Sequence, residues 1–311
     1  MDKVLIIGNG FDIDLGLPTR YIDFCNSQYF QEIDKSSNII RHIVNKYDIN
    51  KWVDLELEIR DFILDREIAK EKNQPVVYDK SVIDKNKNGF FELNNILMDY
   101  LKSLDYSAIN NQSTAAKLLQ AIGKNGYFKI YNYNYSDFSK ISQLLGFNNL
   151  KYTHVHSSIK ESSIILGIED NIDIPKEYCF TIKSHNPNYR SSNIRYALEK
   201  ADEVIFFGHS LGITDYHYFS DFFLNQSGNN GTPQKKKTIR IFTYDEDSRL
   251  DILLQLREMN NKKTNELFDL NDFRIYCTSK KEDVDDINRY CQNLINNSLE
   301  NQTERLRDAF Y

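Results

Sequence analysis

Six histidines, at positions 42, 154, 156, 185, 209 and 217, are the groups of this chain best suited to moving protons near neutral pH. One of them sits in "FFGHSLG", where Gly208-His209-Ser210-Leu211-Gly212 matches the G-x-S-x-G turn that exposes a nucleophilic serine. A hydrolase of that type needs an acid and then a histidine well downstream of the serine, and only His217 follows Ser210. His217 falls on the helix that Ser210 precedes, too close to swing over the hydroxyl. The same atoms serve better as an anion loop: a glycine at a strand end, small polar residues, then a helix whose N-cap is Thr214 or Asp215. Gly208, His209 and Ser210 therefore read as a phosphate or ribose loop.

The N-terminal "VLIIGNGFDIDLGLPT" offers a second loop of this kind at Gly8, Asn9, Gly10 and Phe11. Ile13 stands where a full dinucleotide fingerprint has glycine or alanine, so a plain strand-to-loop turn is an equal reading. In "KIYNYNYSDF" the asparagines at 132 and 134 are two apart, and in "KYTHVHSS" so are His154 and His156. Residues two apart in extended chain share a face, so each pair is expected to point one way. A His-x-His pair can ligate metal, but no third ligand stands at a suitable spacing, and no metal is expected. His154 is read as the structural member of its pair.

These motifs need elements to carry them. Apolar runs rich in β-branched and aromatic residues recur at 4–7, 128–131, 152–155, 164–166, 204–207, 239–242 and 273–276. Most are too continuous for half-exposed strands and suit a sheet covered on both faces. Helical patterns at 193–201, 215–224, 245–259 and 284–306 alternate with them, which predicts a Rossmann-like, doubly wound α/β fold with a mainly parallel sheet. Ligands in such folds bind at the carboxyl ends of the strands. A long stretch, 21–124, follows the first strand. Trp52, Leu55, Ile59, Phe62 and Ile63 recur in it at helical spacing, as do Phe90, Leu93, Leu97, Tyr100, Leu101 and Leu104. We read 1–311 as a single domain with 21–124 as a helical insertion, and the polar stretch 69–90 as a loop.

Composition narrows the function. A net charge of −6 and a pI near 5.6 argue against nucleic acid as a partner, because phosphate contacts need clustered Lys and Arg. The one basic run, Lys235-Lys236-Lys237, lies beside a Gly/Asn-rich stretch and reads as a solvated loop tip. No apolar run approaches the ~20 residues of a membrane helix, and "MDKVLIIG" reads as a strand, so a cytoplasmic protein is expected. Cys25, Cys179, Cys277 and Cys291 are scattered, with no C-x-x-C pair, and are expected as reduced thiols.

Taken in order, the motifs resemble those of the sirtuin-like nucleotide-binding superfamily. Gly8-Asn9-Gly10-Phe11-Asp12 followed by Gly16-Leu17-Pro18 is similar to the sirtuin opening motif, Asn134 to its catalytic asparagine, His156 to its catalytic histidine, and Gly208-His209-Ser210 to its Gly-Thr-Ser loop. The strings "LIIGNGFDIDLGLPTRYIDF", "WVDLELEI", "YNYNYSD", "HVH" and "FGHSLGITDYHYF" resemble the AbiH family of bacterial phage abortive-infection proteins. Departures are visible: no cysteine quartet follows His156, Asp12 replaces a serine, Ser157 replaces a glycine, and Ser136 stands where many sirtuin-like NAD hydrolases carry aspartate.

The resemblance implies an antiphage effector that hydrolyses NAD at the nicotinamide–ribose bond, with NAD as substrate and no bound cofactor. Asn134, His156 and Asp12 are its implied catalytic residues. Gly8 to Phe11 and Gly208 to Ser210 would hold the nucleotide, together with Asp215 and with Tyr244 near the adenosine. Glu56 is a candidate second carboxylate. Two other readings stay open: a non-catalytic nucleotide sensor, and a nuclease or other toxin. The helical insertion is the expected surface for a homo-oligomer or a partner protein, and the phage trigger is not legible in the chain.

Overall fold

Buried apolar runs become parallel strands because backbone groups deprived of water pair with the next strand. The computed structural model describes residues 2–50, 54–71, 79–125, 128–228 and 235–309. Strands β1 (Lys3–Ile7), β2 (Phe128–Asn132), β3 (Tyr152–His154), β6 (Glu203–Phe207), β7 (Thr238–Thr243) and β8 (Asp272–Cys277) form one sheet. Its order is β3-β2-β1-β6-β7-β8 and every pairing is parallel. The chain therefore runs outward in one direction from β1, then returns to start the other half at β6. That is the doubly wound, Rossmann-like order, with its switch point between β1 and β6.

Alternation along each strand divides the core in two. Leu5, Ile7, Ile205 and Phe207 face one cluster, which continues into the helices between β1 and β2. Val4, Ile6, Val204 and Phe206 face the other, covered by helices Ile194–Lys200, Tyr216–Gln226 and Glu246–Met259. The segment between β1 and β2 is helical in its described parts: Tyr21–Cys25, Gln28–Gln31, Asn38–Asn50, Leu55–Glu71, Lys80–Ser103 and Thr114–Asn125. Leu55, Ile59, Phe62 and Ile63 line its interior, while Trp52 lies outside the described residues. No described helix is long and apolar enough to cross a membrane.

Three expectations need correction. The stretch 69–90 is not a loop throughout: 72–78 lie outside the described residues, but a helix begins at Lys80, where the Asp79 carboxylate accepts the Ser81 N–H at 2.7 Å. Its polar sequence conceals an inner face, because Asn86 is buried and bonds to the Asn38 N–H at 2.8 Å and the Tyr178 hydroxyl at 2.9 Å. The run at 164–166 does not join the sheet. Its first residue belongs to β5 (Ser163–Ile164), which pairs antiparallel with β4 (Ser157–Ser158) in a separate hairpin. Finally, Lys237 is not at a solvated tip; it is buried and donates to the carbonyls of Glu199 and Ala201.

Candidate active site at the switch point

Register decides what meets at the switch point. Ile7 pairs with Asn132 on one side and Phe207 on the other, so Gly8, Tyr133 and Gly208 leave the sheet side by side. The two glycine loops interlock. The N–H of Gly8 donates to Phe207 O at 3.0 Å, that of Gly10 to Gly208 O at 2.9 Å, and that of Gly208 to Phe242 O at 2.8 Å. A Cβ on Gly8 would stand 2.6 Å from the His209 Cα, and one on Gly208 only 2.4 Å from the Gly10 Cα. The glycines thus serve loop-on-loop contact, and their N–H groups are engaged within the protein.

Above this floor lies a cavity of about 250 Å³. Ligand pockets commonly span roughly 300–1,000 Å³, so it is small for a binding site, and a dinucleotide would have to extend beyond it. Its wall includes Gly8, Asn9, Gly208, His209 and Ser210 from the two loops, Asn134 and Ser136 after β2, and His156 after β3. Among the described residues four carboxylates line it, Asp12, Asp54, Glu56 and Asp215, and none of the lining side chains is Lys or Arg. Carboxylates so placed can stabilise a developing positive charge, although Lys183 Nζ lies 3.0 Å from Glu56 and 3.6 Å from Asp215 and offsets part of their field.

Asn134 is fixed by its own turn. Its N–H donates to Asn132 Oδ1 at 3.0 Å and its Nδ2 to Gly8 O at 3.1 Å. Asp12, on the short helix Asn9–Asp14, is fully buried, and neither carboxylate oxygen closes a hydrogen bond within the protein. Burial pushes its pKa up to about 6; the nearby Ser136 hydroxyl and Asn134 amide offset only part of that.

Opposite stands a charged network. His156 Nε2 lies 2.8 Å from Asp215 Oδ1, which assigns the Nε2 proton to that contact and leaves Nδ1 as a lone pair without a partner in the protein. The N–H of Leu211 donates to His209 Nδ1 at 3.0 Å, so His209 Nε2 carries its proton and faces Asp215 Oδ2 at 3.5 Å. Asp215 is the N-cap of helix Tyr216–Gln226, yet its carboxylate makes no capping bond and is turned into the site instead. Lys183 places Nζ 3.6 Å from Asp215, 3.0 Å from Glu56 and 3.2 Å from Glu169. Burial raises Glu56 to about 7, with Lys183 opposing. Burial likewise opposes charge on Asp215, but Lys183 and His156 outweigh it and hold the group well below the usual carboxylate range.

The structure thus gathers Asn134, His156, Asp12, Gly8, Asn9, Gly208, His209, Ser210 and Asp215 around one cavity. Asn9 is tied to Thr19, whose hydroxyl donates to Asn9 Oδ1 at 2.6 Å. Three expected contacts stand elsewhere. Gly10 packs against Gly208, Phe11 is a core residue against Phe138 and Phe207, and Tyr244 is exposed away from the cavity wall. His154 and His156 do not share a face: β3 ends at His154, and the backbone turns before Ser157, whose φ is 62°. Ser210 has no histidine partner; its Oγ accepts the Gly212 N–H at 3.3 Å. Lys183, Glu169 and Tyr133 are parts of the site that sequence reasoning did not single out.

A parallel sheet with this strand order and an acid-lined crevice at the reversal defines a Rossmann-like α/β protein. A family model described as bacteriophage abortive infection AbiH matches residues 4–232, and the chain belongs to that family of phage abortive-infection proteins. No curated protein and no solved structure matches the chain.

Proposed function

We propose that this AbiH protein acts in abortive infection by hydrolysing NAD at the nicotinamide–ribose bond. The observation that carries the reading is that one small acidic cavity is lined together by His156, whose Nδ1 has no partner in the protein, by Asn134, whose amide is oriented by Gly8 O, and by the buried Asp12. Nicotinamide leaves as a neutral molecule from a cationic ring, so no general acid is needed at the leaving group. Water adds its oxygen to C1′, the glycosidic electron pair departs with nicotinamide, and the water proton passes to His156 Nδ1. General-base help of this kind is worth roughly 10²–10⁴-fold. Asn134 positions the sugar or the water, and Asp12 stabilises the positive charge that develops on the ribose. The likeness to the sirtuin-like motifs supports the same assignment.

The pyrophosphate stays outside the cavity, with the nicotinamide riboside half within it. Incubation with NAD and chromatography of free nicotinamide tests the reading. Asn134→Ala and His156→Ala are each expected to abolish release while the circular dichroism spectrum is retained. Full turnover by either variant removes its role. Thermal stabilisation by NAD with no nicotinamide released selects the sensor reading instead.

A further inference from the structure

Lys183 is 2% exposed, and a buried ammonium is tolerated only where anions surround it. Its three carboxylates come from distant parts of the chain: Glu56 from helix Leu55–Glu71, Glu169 from the segment after the β4–β5 hairpin, and Asp215 from the cap of helix Tyr216–Gln226. The backbone that presents the lysine is held on both sides. The N–H of Lys183 donates to Ile168 O at 2.9 Å, and that of Ile168 to Thr181 O at 2.9 Å. Gly167 permits this contact, since a Cβ there would stand 2.2 Å from Thr181 O. The lysine is therefore placed by design of the fold, with its charge delivered to one atom that matters. Asp215 Oδ1 is shared between Lys183 Nζ and His156 Nε2.

We propose that Lys183 is a positioning residue of the site: through the shared Oδ1 it fixes Asp215 against His156 and governs how readily that imidazole takes a proton. Glu56 and Glu169 anchor the ammonium for this task. In a serine-protease triad the carboxylate stabilises the imidazolium. Here the same oxygen also faces a cation, so the carboxylate's pull on a second proton is blunted. The groups facing His156 are Asp215 from the helix cap, Lys183 and Glu169 from the bridged segments, His209 through its share of Asp215, and the Tyr133 and Tyr218 rings. His217 contacts Glu169 at 2.9 Å from the far side. Burial and the Lys183 charge lower the His156 pKa, and Asp215 and Glu169 restore only part of it. The result is an imidazole that takes up a proton less readily than a free histidine.

The task of His156 as base rests on the hydrolase reading, whereas its electrostatic tie to Lys183 is independent of any substrate. The test is therefore a histidine NMR titration of the full chain, with nicotinamide release measured in parallel. Lys183→Met alone leaves carboxylates without a counter-charge and endangers folding, so it is paired with Glu56→Gln, which removes one charge of each sign. In this double variant the His156 midpoint is expected to move to higher pH by more than any other histidine, and the acid limb of nicotinamide release to move with it. Lys183→Arg, which keeps the charge, is expected to retain the wild-type midpoint. An unchanged His156 midpoint in the folded double variant overturns the proposal, and so does an upward move in folded Lys183→Arg. Absence of nicotinamide release from the wild type, with the titration behaving as expected, sinks the hydrolase reading and leaves this one standing.

Discussion

Asp12 carries the sharpest tension between stability and chemistry. Its ordinary pKa is 3.8 and burial lifts it to about 6 in the folded chain. The unfolded chain ionises first, so between these values the native state binds the extra proton and stability rises as pH falls. Above about pH 6 the folded protein bears the full penalty of a buried, unpartnered charge, on the order of 2–3 kcal/mol from the size of the shift. Asp12→Asn is expected to raise the urea midpoint at about pH 8, with the gain shrinking toward about pH 4, and to lose nicotinamide release. A variant less stable than wild type at the higher pH contradicts this account. Asn134 and His156 stood out in the sequence as polar residues just after apolar runs, whereas Asp12 was reached only through the resemblance of its motif; all three line the cavity. Lys183 was not, since its partner Glu56 lies 127 positions away and "TIKSHN" has no local spacing to betray it.

Among the elements, the two glycine loops bear most of the geometry. Gly208 has φ 62°, and a Cβ on it would meet the Gly10 backbone, so Gly208→Ala combines strain with a clash that no side-chain rotation relieves. A loss of about 2–4 kcal/mol is expected, from a left-handed backbone plus overpacking. Gly16 is a control, because its φ is 90° but nothing lies within 4 Å of the added carbon, and its alanine variant carries only the conformational penalty of about 1 kcal/mol. Equal melting temperatures for the two variants would count against loop-on-loop contact. The central strands were legible because burial on both faces leaves no polar alternation to confuse them. The β4–β5 hairpin was not, because two-residue strands carry no period, and the first turns of helix Lys80–Ser103, before Phe90, were not, because its inner face begins with Asn86 and Gly89.

For the molecule as a whole, alternation of strands and helices revealed the α/β class, but nothing in it orders the strands; that follows from pairings far apart in the chain. One core cluster runs without a break from Leu5, Ile7, Ile205 and Phe207 into Ile40, Leu55, Leu93 and Leu119. The helices between β1 and β2 therefore cover this sheet face together with helix Lys281–Ala309, whose Ile287, Cys291 and Leu294 join the same cluster. The full chain is expected to unfold in one transition, with coincident circular dichroism and tyrosine fluorescence, and excision of 21–124 to give a product that binds hydrophobic dye. Two separated transitions in the intact chain oppose this view. The interlocked loops have a mechanical corollary: with the tips of β1 and β6 clasped by backbone hydrogen bonds, the floor of the crevice is stiff, and whatever binds there meets a surface already set in place.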